Sequence, residues 1–105
     1  MDIKTLLALF KLSQTKPLLD RNSLYFITCG DLVKIGKSTN PQQRLAQIQT
    51  SAPGPCVMTA CFKSAGYLEA EIHRLLREQR RHGEWFVYDE HVKHLIESIA
   101  NGEIA

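Results

Sequence analysis

Three cationic side chains lie close together in a stretch that runs from Ser23 to Leu45. Lys34, Lys37 and Arg44 fall on a predicted strand, the loop after it and a predicted helix. Because consecutive elements usually pack side by side, we expect these charges to converge. Three cations near a helix N-terminus repel one another unless an anion joins them, and a phosphate also suits the free backbone N–H groups there. Solvated surface charges are the alternative interpretation of the same spacing.

A carboxylate and an imidazole lie one helical turn apart further along the chain. Glu69 and His73 are predicted on the border of a helix's apolar face. A carboxylate there could hold Mg²⁺ or Mn²⁺, which prefer oxygen ligands. The alternative is an ordinary Glu–His pair on the helix surface. A zinc site is not expected, because the histidines and cysteines lack paired ligand spacing.

Two aromatic residues each have two interpretations. Tyr25 lies in the middle of a predicted strand, where a tyrosine belongs either to the core or to a site at the sheet surface. Trp85 follows Gly83-Glu84 and is either a core anchor or a platform on which the bases of a single-stranded nucleic acid stack.

Composition indicates one small folded domain with no membrane partner. The chain has 105 residues, 44% of them apolar, and no apolar run approaches the roughly 18 residues of a membrane span. Cys29, Cys56 and Cys61 are odd in number and lack CxxC spacing, which favours free thiols and a cytoplasmic location. The net charge of +2 is small, so the distribution of charge must carry any nucleic-acid binding.

The elements that must position these residues are predicted to follow the order α-β-β-α-β-α-(β)-α. We expect an α+β fold: a small three-stranded antiparallel or mixed sheet flanked by helices, with an extra N-terminal helix. Residues 1–22 form that helix and a connector, and residues 23–105 form the remaining domain. The predicted elements are a helix near 2–13, a hairpin over 23–35 that Gly36 ends, a helix from Asn40 to Gln49, a strand over 56–62 buried on both faces, a long helix over 67–81, an aromatic segment over 84–88 and a last helix capped by Asp89.

Four segments, SLYFI, VKIGKSTNPQQRL, YLEAEIH and GEWF, resemble the GIY-YIG nuclease superfamily, most closely its compact phage-associated branch with a KIG second motif. The resemblance covers roughly residues 23–88. Tyr25 takes the place of the first-motif tyrosine, Lys37 and Arg44 match the basic positions, and Glu69 matches the metal-binding glutamate. The departure is Lys34, which stands where the second motif usually has a tyrosine.

The resemblance implies a metal-dependent endonuclease that hydrolyses phosphodiester bonds in DNA rather than RNA, nicking or cutting one strand per active site. Glu69 would hold one Mg²⁺ or Mn²⁺ ion, and Tyr25, made acidic by the nearby cations and the metal, would position or deprotonate the attacking water. The implied catalytic residues are Tyr25, Lys34, Lys37, Arg44, Glu69 and His73.

Two other functions fit the same scaffold. One is a nucleic-acid-binding module with weak or no catalysis, which the cation at Lys34 would suit. The other is a protein-interaction domain. For the nuclease, cutting both strands would require two binding events or a homodimer, for which the N-terminal helix is the candidate surface. The alternative is that this helix covers one face of its own domain.

Overall fold

A β-hairpin forms the middle of the sheet. In the computed structural model, which describes residues 4–5 and 20–101, strand β1 (Ser23–Cys29) pairs antiparallel with β2 (Leu32–Ser38). Gly30 has a φ of 66°, the left-handed conformation that the tight turn requires. The predicted hairpin is confirmed, but Gly36 does not end the second strand, which continues to Ser38.

Within residues 20–101 the sheet has five strands, and every neighbouring pair is antiparallel. The order is β3-β1-β2-β5-β4, where β3 is Cys56–Phe62, β4 is Arg80–His82 and β5 is Trp85–Val87. The prediction of a three-stranded antiparallel or mixed sheet is therefore wrong, although the α+β class holds. The two short strands β4 and β5 form a second hairpin, which brings the number of strands to five.

That second hairpin lies where the sequence predicts the end of a helix. Helix α2 covers only Glu69–Leu75, between 3₁₀ turns at Gly66–Leu68 and Arg77–Gln79. Gly83 then adopts a φ of 56° and turns β4 into β5. The Arg80 Nε donates a hydrogen bond of 2.9 Å to the Gly83 carbonyl oxygen. The two-residue turn overrides the helix propensity of the residues before it.

Helix α1 (Pro41–Ser51) packs against β1, β2 and β3. The Asn40 side chain accepts a hydrogen bond of 3.2 Å from the Gln43 N–H, and Pro41 occupies the first turn, so the predicted helix start is confirmed. Strand β3 is not buried on both faces as predicted. It lies at the edge of the sheet, and Val57 on its outer side is 58% exposed.

Helices α2 and α3 (Glu90–Asn101) cover the core on the other face of the sheet. Asp89 caps α3 by accepting a hydrogen bond of 3.2 Å from the Val92 N–H, as predicted. The core residues come from the sheet, from α2 and the segments that flank it, and from α3: Leu24, Phe26, Val33, Ile35, Ala65, Leu68, Ile72, Leu76, Phe86, Val92, Leu95, Ile96 and Ile99.

The predicted N-terminal helix lies almost entirely outside the described residues. Lys4 and Thr5 are helical, and the apolar positions that would form a dimer surface are not among the residues described. The three cysteines are free thiols, as predicted. In the part of the chain that the structure describes, every helix is too short or too polar to cross a membrane.

Candidate active site

The candidate site is built around Tyr25, whose side chain is only 1% exposed. Tyr25 on β1 lies directly opposite Gly36 on β2. A Cβ at position 36 would lie 2.6 Å from the tyrosine Cζ and 3.1 Å from the Glu84 Oε1, and closer still to the tyrosine hydroxyl. The glycine therefore leaves the space in which the tyrosine ring and the glutamate carboxylate approach each other.

Three charged side chains from three elements influence the Tyr25 hydroxyl electrostatically. Arg44 reaches it from α1 and makes a side-chain hydrogen bond with it. Glu84 comes from the β4–β5 turn and Glu69 from the first turn of α2, and both carboxylates act electrostatically on the tyrosine. The fold thus brings together Tyr25, Arg44 and Glu69, which are far apart in the sequence.

These surroundings raise the pKa of Tyr25 above its ordinary value of 10.0. Burial is the largest cause, because the phenolate would lose its hydration. The Arg44 guanidinium opposes the shift, and the carboxylates of Glu84 and Glu69 add to it. The protein's own residues therefore do not acidify the tyrosine, and its acidification by the nearby cations together with a metal stays a prediction. At neutral pH this side chain is a neutral phenol that can donate a hydrogen bond.

Lys34 lies on the same face of β2 as Gly36, because residues two apart along a strand share a face. Its ammonium nitrogen is 3.6 Å from the Glu84 Oε1 and 5.4 Å from the centroid of the Trp85 ring. The side chain is 16% exposed. Lys34 is therefore held in place by an anion on one side and an aromatic face on the other.

Lys37 is not brought into this group. It is exposed, and strand alternation puts it on the opposite face of β2 from Lys34 and Gly36. It also makes no ion pair with the described residues, so it remains a cation at the end of the strand.

His73 joins α2 to the central hairpin. Its Nε2 lies 2.8 Å from the Ile35 carbonyl oxygen, and because a carbonyl only accepts, this nitrogen carries the hydrogen. The ring also packs against Phe86, with centroids 4.9 Å apart. The contact fixes α2, and with it Glu69 one turn earlier, beside β2.

Glu69 is the described carboxylate best placed to hold a metal. It is half-buried, its backbone N–H donates a hydrogen bond to the Gly66 carbonyl oxygen, and its carboxylate forms no ion pair with the described residues. Those residues include no cluster of three or more His, Cys, Asp or Glu side chains. One or two carboxylates, completed by water and phosphate oxygens, are the usual protein contribution to a Mg²⁺ site. The donor set therefore fits a hard cation bound together with a phosphate.

Sequence reasoning missed Glu84 as a site residue. It stands in GEWF, where the signal was present: a Gly-Glu pair between two short segments is typical of a two-residue hairpin turn. Trp85 is half-buried and lies outside the core cluster, so it is not the core anchor that one interpretation expected.

The chain was compared with known proteins at the level of families, curated proteins and solved structures. One family model, described as the T5orf172 domain, matches residues 20–101. No curated protein and no solved structure matches significantly. The matched segment contains the whole described sheet, all three helices α1–α3 and every residue of the candidate site.

Proposed function

Because the chain belongs to the T5orf172 domain family, a phage-associated domain related to nuclease-type folds, we propose that it is a metal-dependent endonuclease of the GIY-YIG type that hydrolyses phosphodiester bonds in DNA. One observation carries the proposal: the Glu84 carboxylate and the buried Tyr25 hydroxyl approach each other at Gly36, with Arg44 and Glu69 near enough to act electrostatically on the tyrosine. A cation, two anions and a neutral phenol in one place are the groups that phosphodiester hydrolysis requires.

Arg44 binds the scissile phosphate. Its planar guanidinium can donate two parallel hydrogen bonds to non-bridging oxygens and neutralise the charge that develops there. It is half-buried and already oriented by Tyr25 and by a 3.1 Å hydrogen bond to Gln47 Oε1. Lys34 adds positive charge on the same side of the sheet.

Tyr25 orients the attacking water. Its raised pKa keeps the phenol protonated, so it acts as a hydrogen-bond donor rather than as the base. The Glu84 carboxylate next to it accepts the water's proton. Lys34 holds that carboxylate in position through their ion pair.

Glu69 would hold a single Mg²⁺ or Mn²⁺ ion, which would supply the positive charge that polarises the phosphate and stabilises the leaving oxygen. Its carboxylate forms no ion pair with the described residues. His73 keeps it in place through the hydrogen bond to Ile35, which supports a positioning role for this histidine.

The proposal is tested by cleavage of end-labelled single-stranded DNA, double-stranded DNA and RNA with Mg²⁺, with Mn²⁺ and with EDTA. We expect metal-dependent cleavage of DNA that falls by at least about 100-fold in Glu69→Gln and in Arg44→Ala. Glu97→Gln and Arg77→Lys, which change exposed residues outside the site, are the matched controls. Cleavage that survives both site substitutions would contradict the assignment.

A binding module without catalysis is the second candidate, and Lys34 favours it. At this position a tyrosine would offer a proton acceptor, whereas the lysine is a cation already paired with Glu84. This candidate predicts DNA binding that weakens with salt, no turnover with any metal and an unchanged affinity in Glu69→Gln. A protein-interaction domain, by contrast, would bind no nucleic acid.

A further inference from the structure

We propose that the groove lined by Lys34, Ile48 and Trp85 binds one unpaired nucleobase of the strand whose phosphate is at Arg44, with Trp85 as its stacking surface. The substrate is then single-stranded or locally unpaired DNA. This inference rests on the proposed function, since the groove is assigned to the nucleotide that follows the phosphate at Arg44.

The groove combines an aromatic surface with aliphatic walls. It has a volume of about 360 Å³, which lies at the small end of the range for ligand sites. Its lining includes Leu32, Lys34, Ile48, Pro53, His82 and Trp85. A flat apolar ligand with a polar edge suits such walls, and a nucleobase has that shape.

The groove and the candidate site share Lys34. Trp85 is the partner of Lys34 across the β2–β5 pair, and Gly36, which faces Tyr25, is two residues further along β2. Tyr25 and Trp85 therefore lie on the same face of the sheet, on the two strands that flank β2 and offset by two residues along it. Lys34, on β2, contacts the Trp85 ring from this face.

The charges of the groove match a nucleotide rather than a neutral ligand. Lys34 is close to both the Trp85 ring and the Glu84 carboxylate. A phosphate that enters at Arg44 therefore meets a second cation in the direction of the groove. Its base can then rest on the indole and the side chain of Ile48.

This arrangement selects against paired bases. A base inside a duplex has both faces covered by its neighbours and its edge occupied by its partner. An unpaired base can lay one face on an aromatic side chain, which every base does without regard to sequence. The groove therefore distinguishes unpaired from paired bases and does not read the base sequence.

The test uses the intrinsic fluorescence of the full-length chain. Trp85 is its only tryptophan, so the tryptophan emission, excited selectively over the three tyrosines, comes from the groove alone. A single-stranded oligothymidylate is titrated in EDTA, which prevents cleavage, against an oligonucleotide of equal length made of abasic sites. We expect quenching by the first and little by the second, and an affinity about 10- to 100-fold weaker for the second.

Two variants provide an independent readout by anisotropy of a labelled oligonucleotide. Trp85→Ala should lose about 10-fold or more in affinity for single-stranded DNA, while Trp85→Phe should keep most of it. Thermal melts of both variants establish that they are folded. The abasic comparison does not depend on any variant, so a misfolded Trp85→Ala protein leaves the test intact.

Equal affinity and equal fluorescence for intact and abasic strands would overturn the base site. If such strands are still cleaved in Mg²⁺, the proposed nuclease function survives that failure. Duplex DNA that quenches as strongly as single strands would overturn the selection for unpaired bases. Absence of binding to every oligonucleotide would overturn both proposals.

Discussion

Gly36 lies opposite Tyr25, and the tyrosine ring fills the space where a side chain would be. The Glu84 carboxylate enters the same space. Because Gly36 is buried and the ring is enclosed, neither neighbour can move away easily. The glycine of the KIG motif therefore shapes the site directly.

Gly36→Ala should destabilise the protein and disable the site. We expect a loss of about 1–3 kcal/mol in the free energy of unfolding, because the added methyl group overlaps the tyrosine. Urea unfolding measures this, and DNA cleavage should fall with it. Gly54→Ala is the matched control, since a Cβ there meets nothing within 4 Å. A Gly36→Ala protein as stable and active as wild type would contradict the packing described.

The raised pKa of Tyr25 predicts a stability that falls at high pH. The unfolded chain releases this proton near pH 10, while the folded chain retains it to a higher pH. Rising pH through 10 therefore favours the unfolded state. The free energy of unfolding, measured from about pH 9 to 11, should fall less steeply in Tyr25→Phe. If the free energy of unfolding falls with pH at the same rate in both proteins, the pKa of Tyr25 is not raised by folding.

At the scale of elements, the stability of α3 depends on the hydrogen bonds that Asp89 accepts at the start of the helix. Asp89 precedes the helix and accepts from the Val92 N–H and from the Gln79 Nε2, at 3.2 Å each. The second bond ties the helix start to the segment before β4. The cap thus holds both the helix and the second hairpin near the core.

The pKa of Asp89 gives this cap a pH dependence. Burial alone would raise the pKa, but the hydrogen bonds from Val92 and Gln79 hold it below its ordinary value. The stabilisation is therefore present above the unfolded pKa of about 3.9 and is lost as the pH falls through the lower folded pKa.

Two substitutions at this position separate the capping from the charge. Asp89→Ala should lower the free energy of unfolding by about 1 kcal/mol at neutral pH. Asp89→Asn keeps a hydrogen-bond acceptor but should remove the part of that free energy that depends on acid. Urea unfolding at about pH 7 and about pH 3 measures both. Asp31→Asn, at an exposed turn residue, is the control. An Asp89→Asn protein that keeps the full acid dependence would contradict this account.

The elements also explain which residues the sequence could predict. Tyr25 and Arg44 lie in a hairpin and a capped helix whose signals are local, and Glu69 lies at a predicted helix border. The Gly-Glu pair signals a turn at Glu84, but its place beside Tyr25 depends on the pairing of β5 with β2, which is not local in the sequence. The residues before Gly83 favour a helix locally, and only pairing with β5 makes the last three of them a strand.

At the scale of the whole molecule, the described residues of one chain contain one candidate site. If the proposed function holds, a single set of Tyr25, Arg44 and Glu69 would hydrolyse one phosphodiester at a time. Cutting both strands of a duplex would then require two binding events or two chains. Since the net charge is only +2, the proposal assigns the attraction of DNA to the local cations rather than to the whole surface.

The most direct test of the account is the nicking of supercoiled plasmid in Mg²⁺, comparing wild type with Glu69→Gln. Negative supercoiling supplies the locally unpaired bases that the groove requires. We predict that nicked circles accumulate before linear DNA, and that Glu69→Gln nicks at least about 100-fold more slowly. Nicking at the wild-type rate by Glu69→Gln would contradict the central claim that Glu69 and Tyr25 belong to one hydrolytic site.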